Sequence, residues 1–167
     1  DIIHLHWVNF GFLSNASLKK IFLLNKPTFI TLHDMWYFTG GCHHSGDCQN
    51  YMQKCGNCVP YLKNPSDNDI SRTEWKHKNE TYKFANNITA ISCSNWLKNR
   101  AAESSLFQKF NNISIPNPIN IETFKPLNQS DLREKYQLKS DKKYLVVVAA
   151  KLEVYWKGFS YLIETVN

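Results

Sequence analysis

Apolar positions follow two rhythms along this chain. Ile2 to Val8 and Thr28 to His33 are short, nearly continuous apolar runs of strand character. Between them, Leu18, Ile21, Phe22 and Leu24 recur at a spacing that gathers them on one side of a helix over about Leu13 to Leu24. Pro27 stops that helix, because proline lacks the N–H that a further turn needs. Ser71-x-x-Glu74 has the form of a capping box and opens a helix to about Phe84, with Trp75, Asn79 and Tyr82 sharing a face. Ile88 to Cys93 is a further strand, Ser94 caps a helix from Asn95 to about Ser105, and Ile113 to Ile115 is a strand ended by Pro116-Asn117-Pro118. Strands alternating with helices predict an α/β, Rossmann-like parallel sheet covered on both faces.

Beyond this first domain, residues 1–118, comes a linker, residues 119–130, in a stretch rich in Pro and Asn. Residues 131–167 then offer a short helix, Asp131 to Tyr136, the most apolar strand of the chain, Tyr144 to Ala150, and a helix from about Phe159. That order predicts the start of a second Rossmann-like domain. The chain begins inside an apolar run without an initiator Met and stops inside an amphipathic one, so a fragment is expected, truncated in its second domain.

Residues 34–68 lack periodicity over about 35 residues, far more than an ordinary α/β connection. Trp36, Tyr37, Phe38, Tyr51 and Tyr61 argue for a packed excursion, not a disordered one. Four of the five cysteines, Cys42, Cys48, Cys55 and Cys58, fall in it, and Cys93 stands apart. Clustered thiolates ending in C-x2-C suit a tetrahedral structural Zn²⁺, with His43 or His44 able to replace one sulfur. Disulfides and free thiols are the alternatives; a reducing compartment favours the metal.

The formal charge of +6 suits an anionic partner without selecting one, since Lys and Arg are spread over helical stretches that read as solvated faces. No run approaches the ~20 apolar residues of a membrane span, and there is no signal-peptide pattern, so a cytoplasmic location is expected, with room for peripheral association at the inner face of the membrane.

His4 and His6 project from one side of the first strand by its period of two, and His33 ends the second strand, followed by Asp34. The carboxyl ends of parallel strands are where such sheets bind ligands, and histidine there can bond a sugar hydroxyl or phosphate or act as acid or base. His6, His33 and Asp34 are the candidate cleft residues; His4 and His77 read as structural.

The segments H-L-H-W, T-L-H-D-M-W-Y-F-T-G-G-C, the cysteine loop, S-R-x-x-W-K, S-x-W-L, I-P-N-P-I-N-x-x-x-F-K-P and K-G-F, in this order, resemble family 4 retaining glycosyltransferases. The branch most similar is that of colanic acid and other exopolysaccharide glycosyltransferases. The resemblance implies a GT-B architecture of two Rossmann-like domains. Its N-terminal domain would take a glycan or lipid-linked acceptor and its C-terminal domain a nucleotide-sugar donor. It implies transfer with retention of configuration and no cofactor for catalysis, His33 contacting the reacting sugar and His6 bordering the cleft.

Lys151 and Lys157, before a helix that begins near Gly158, match the cations that hold the donor diphosphate in that family. The chain departs from the pattern at Ala150-Lys151, where the family carries Gly-Arg, and at Pro116-Asn117-Pro118, where it carries Pro-Asn-Gly. The family's N-terminal glycine-rich turn and C-terminal paired glutamates are not in these residues, so the fragment alone is expected to be inactive. The competing reading, a basic zinc-knuckle module for nucleic acid, predicts basic residues clustered on the cysteine loop, where only Lys54 lies between Asp34 and Cys58. Nucleic acid is therefore not the expected partner. A non-catalytic scaffold on the same fold is the other alternative.

Overall fold

The structure is a computed structural model that describes residues 1–166, and the chain divides into two compact units, Asp1–Pro118 and the residues from Ile119 onward. The first unit is α/β. Its four strands, β1 (Ile3–Leu5), β2 (Thr28–Leu32), β3 (Ile88–Ser92) and β4 (Asn111–Ser114), form one parallel sheet in sequential order. Ile3 lies opposite Thr28, Thr28 opposite Ile88, and Ile91 opposite Ile113. Parallel neighbours cannot be joined by a tight turn, and each connection here carries a helix: α1 (Asn15–Leu23), α2 (Ile70–Tyr82) and α3 (Asn95–Glu103). Among the described residues no helix is long and apolar enough to cross a membrane.

Short polar side chains start these helices by accepting N–H groups that have no partner within the helix. The Ser14 hydroxyl accepts from Ser17 N–H at 3.1 Å, and Ser94 from Leu97 N–H at 3.2 Å. The capping box expected at Ser71 does not form. Asp69 caps α2 instead, its Oδ1 accepting from Ser71 N–H at 2.9 Å, Arg72 N–H at 3.2 Å and the Ser71 hydroxyl at 2.6 Å. A carboxylate makes stronger hydrogen bonds than a hydroxyl, and it takes the position from Ser71. In α1, Leu18 and Phe22 are buried, but Leu24 is exposed because the helix has already ended at Leu23.

The buried side of α2 is made by Ser71, Lys78, Thr81 and Tyr82. Trp75 and Asn79, which the periodicity placed with Tyr82, are only half-buried. Lys78, expected on a solvated face, is 0% exposed.

The sheet is not equally covered on its two faces. Thr28, Ile30, Leu32, Ile88, Ala90 and Ser92 are buried, whereas the alternating Phe29, Thr31, Thr89 and Ile91 are half-buried. Right-handed crossovers stepping one way across a sheet deposit their helices on a common face, and α1 and α2 do pack on each other. The second face is thus less deeply covered than the first. Leu18, Phe22, Tyr82, Leu97 and Phe107 complete the core.

The unit from Ile119 onward holds α4 (Gln129–Lys135), whose cap Asn128 accepts from Ser130 N–H at 3.1 Å, a single 3-10 turn at Tyr155–Lys157, and α5 (Phe159–Val166). The apolar run 144–150 is not a strand: it carries no ladder, and Val146 and Val148 are 80% and 88% exposed. A strand needs a neighbour to accept its N–H groups, and among the described residues this unit contains no other strand.

Candidate functional site

β1 and β2 run in parallel side by side, so their carboxyl ends meet at one edge of the sheet. His6 follows β1 and His33 follows β2, and His6 Nδ1 lies 3.3 Å from His33 Nε2 with the rings stacked at 5.6 Å. That contact requires one ring to donate its N–H and the other to accept, so the pair shares a proton between two exposed imidazoles. His4 stacks near His6 with ring centres 4.4 Å apart, and its Nε2 bonds the Thr31 hydroxyl at 2.8 Å. His77 lies elsewhere, on α2, with Nδ1 3.4 Å from Glu74.

Asp34 opens the long loop. Its Oδ1 accepts from Trp36 N–H at 2.8 Å, folding the chain back on itself, and its Oδ2 lies 2.8 Å from His43 Nδ1. His43 is thereby held beside Trp7 and Phe10, at ring separations of 5.9 and 6.3 Å. Trp7 and Phe10 are exposed, and neither side-chain atom of the intervening buried Asn9 amide is hydrogen-bonded to another protein group. The histidine cluster thus borders an exposed aromatic edge.

The backbone carrying His6 is fixed from beneath. The Tyr37 hydroxyl donates to the His6 carbonyl, and the Tyr82 hydroxyl donates to the Tyr37 carbonyl at 2.8 Å. Burial, with Asp34 nearby, pushes the Tyr37 hydroxyl well up, which keeps it a donor. Lys78 reaches from α2 to the carbonyls of Trp36 and Thr39, the latter at 3.0 Å, with its ammonium 3.6 Å from the Trp36 ring centre. Burial brings Lys78 down to about 7 despite the opposing fields of Glu74, Cys42, Cys55 and Asp34.

The excursion 34–68 is packed, as its aromatic content suggested. Met35, Tyr37, Phe38 and Tyr51 are buried, and two 3-10 turns, Trp36–Phe38 and Asn50–Met52, are its only regular elements among the described residues. Tyr61 departs from that expectation by being 49% exposed; its hydroxyl donates to the His44 carbonyl.

Cys42, Cys48, Cys55 and Cys58 line one cavity of about 30 Å³ together with Gly40 and Ser71. None of them is in a disulfide. Burial pushes the Cys55 thiol up to about 11 and also raises Cys42 and Cys58, so as free thiols they are protonated and poor nucleophiles near neutral pH. The loop closes on α2 at two points. Asp69 Oδ2 accepts from Cys58 N–H at 2.8 Å, and a Cβ on Gly40 would stand 2.2 Å from the Ser71 carbonyl oxygen.

Lys151 and Lys157 lie in the second unit, both exposed. Lys157 ends the 3-10 turn, and Gly158, at φ +70°, turns the chain into α5. The structure therefore brings together His6 and His33, places Asp34 on His43, and gathers the four cysteines separately. Sequence reasoning missed the roles of His43, Lys78 and Asp69. Only Asp69, the acidic residue just before Ile70, carried a readable signal, as a competing cap. No family model, no curated protein and no solved structure matches the chain.

Proposed function

We propose that this chain is part of a glycosyltransferase, its first unit on the acceptor side and its second the start of the donor side, that moves a sugar from a nucleotide-sugar donor to a glycan or lipid-linked acceptor, with retention of configuration, in the synthesis of cell-surface polysaccharide. The observation that carries the reading is the pairing of His6 with His33, 3.3 Å apart at the carboxyl ends of neighbouring parallel strands. Two imidazoles sharing one proton can donate to an oxygen that gains charge as the glycosidic bond to the nucleotide breaks. The exposed Trp7 and Phe10 beside them suit a carbohydrate, whose C–H faces stack on aromatic rings. The resemblance of the T-L-H-D-M-W and I-P-N-P-I-N segments to retaining glycosyltransferases supports the same reading.

In this proposal His33 contacts the sugar being transferred and His6 fixes the orientation of its ring. Asp34 acts through His43. Lys151 and Lys157, exposed ahead of α5, take the donor diphosphate. No metal takes part in the chemistry, and the protein works at the cytoplasmic face of the membrane that carries its acceptor.

The test is release of nucleoside diphosphate by the full-length protein, supplied with a panel of nucleotide sugars and lipid-linked acceptors. His33→Ala should lower kcat/KM by at least ~10²-fold, the scale of losing one polar transition-state contact. Wild-type turnover in that variant would refute the assignment, and absence of turnover with every donor would refute the reaction class.

A further inference from the structure

We propose that Cys42, Cys48, Cys55 and Cys58 form a structural zinc site that fastens the excursion 34–68 to the start of α2. The four side chains come from three separate turns of the loop and border a single cavity of about 30 Å³. That space is the size of one small ion or water. Four sulfur donors are the set that selects a soft or borderline ion, and Zn²⁺ takes four thiolates in a closed tetrahedral shell.

The local backbone is built for such a shell. In Cys55-Gly56-Asn57-Cys58, Gly56 at φ +139° and Asn57 at φ +49° are consecutive left-handed residues, which turn the chain tightly enough for both cysteines to border the same cavity. Gly40 N–H donates to Cys55 Sγ at 3.0 Å, the kind of contact that disperses thiolate charge around a bound metal. Lys78, buried with its ammonium on the carbonyls of Trp36 and Thr39, lies within electrostatic reach of Cys42 and Cys55 and offsets part of the net negative charge of a zinc tetrathiolate.

Among the described residues no three His, Cys, Asp or Glu side chains are already drawn in to one ligation point. Binding must therefore rotate the thiols inward. Each gives its proton to solvent as its sulfur ligates, so the energy of coordination is coupled to ordering of the loop. The loop contains no strand or α-helix among the described residues, and a metal shell adds a cross-link to the turn hydrogen bonds and buried aromatic side chains that order it.

The experiment is elemental analysis of the chain purified under reducing conditions without chelator, and it reads metal independently of sugar transfer. About one zinc per chain is expected, the stoichiometry of a single four-sulfur shell. Cys48→Ser should lower it severalfold, and Cys93→Ser, outside the cluster, should leave it unchanged. Should Cys48→Ser fail to fold, cobalt loaded into the wild-type chain gives the second readout: intense thiolate-to-metal charge-transfer absorption and the strong visible bands of a tetrahedral ion. Metal below about a tenth of an equivalent overturns the proposal, whether the thiols then titrate freely or prove paired as disulfides. Full zinc retention in a folded Cys48→Ser variant, or cobalt bound without thiolate bands, also overturns it.

Discussion

Thr28–Leu32 and the run 144–150 invite comparison, because the second is the more apolar and yet only the first is a strand. Ile30 and Leu32 are 0% exposed and their strand is flanked by β1 and β3, whereas Val146 and Val148 stand 80% and 88% exposed with no ladder. Apolarity creates a demand for burial, but the backbone can be buried only where neighbouring strands take its hydrogen bonds. Strand character therefore resides in the arrangement of neighbours as much as in the segment itself.

The largest contrast should appear in amide exchange. The amide of Ala90, in the central β3, should exchange at least ~10³-fold more slowly than those of Val146 to Val148, since core opening approaches the global unfolding free energy and unladdered segments open at almost no cost. Comparable protection in the two regions would break the comparison. Next in size, Ile30→Ala should cost about 2–5 kcal/mol in urea unfolding, through lost burial and a cavity at a fully enclosed position.

Polar fastening of the first unit sharpens the contrast further. Asp69→Ala should cost about 1 kcal/mol by removing the cap of α2 and the acceptor of Cys58 N–H. Burial disfavours the Asp69 charge, but hydrogen bonds from Cys58, Ser71, Arg72 and Ser66 prevail and hold its carboxyl down at about 2. Between that value and the ordinary ~3.9 of an unfolded aspartate, the unfolded chain binds more protons. The advantage of wild type over Asp69→Ala is thus complete above about pH 4 and fades as pH falls toward about 2, which urea midpoints over that range will show. Smallest of all, Val146→Ala should change stability by no more than ~0.5 kcal/mol, as at other exposed positions.

Where helices and strands alternate in the first unit, periodicity and punctuation placed the elements in their observed order. Ser94 caps where its position indicates, and the meeting of His6 with His33 follows from adjacent parallel strand ends. What escaped reading depends on contacts distant in sequence. Lys78 carries a charge that argues for the surface, and only the carbonyls of Trp36 and Thr39, about forty residues away, make its burial tolerable. The capping box at Ser71 lost to an aspartate two positions earlier, because local motifs compete and the stronger acceptor prevails. The run 144–150 failed for the opposite reason: its own composition was legible, but the presence of neighbours is not written in it.

Gly40 gives the excursion a geography for change. A side chain there would run into the Ser71 carbonyl at 2.2 Å and Cys55 Cβ at 2.7 Å, backbone and core atoms that have no room to yield, whereas at Gly41 and Gly46 the space is open and it is the left-handed backbone, at φ +127° and +55°, that favours glycine. Diversity in this loop, whether drifted into by descendants or installed by an engineer, is therefore excluded by crowding at residue 40 and limited elsewhere by backbone conformation. The closure at residue 40 behaves as the fixed socket into which any replacement cassette must plug.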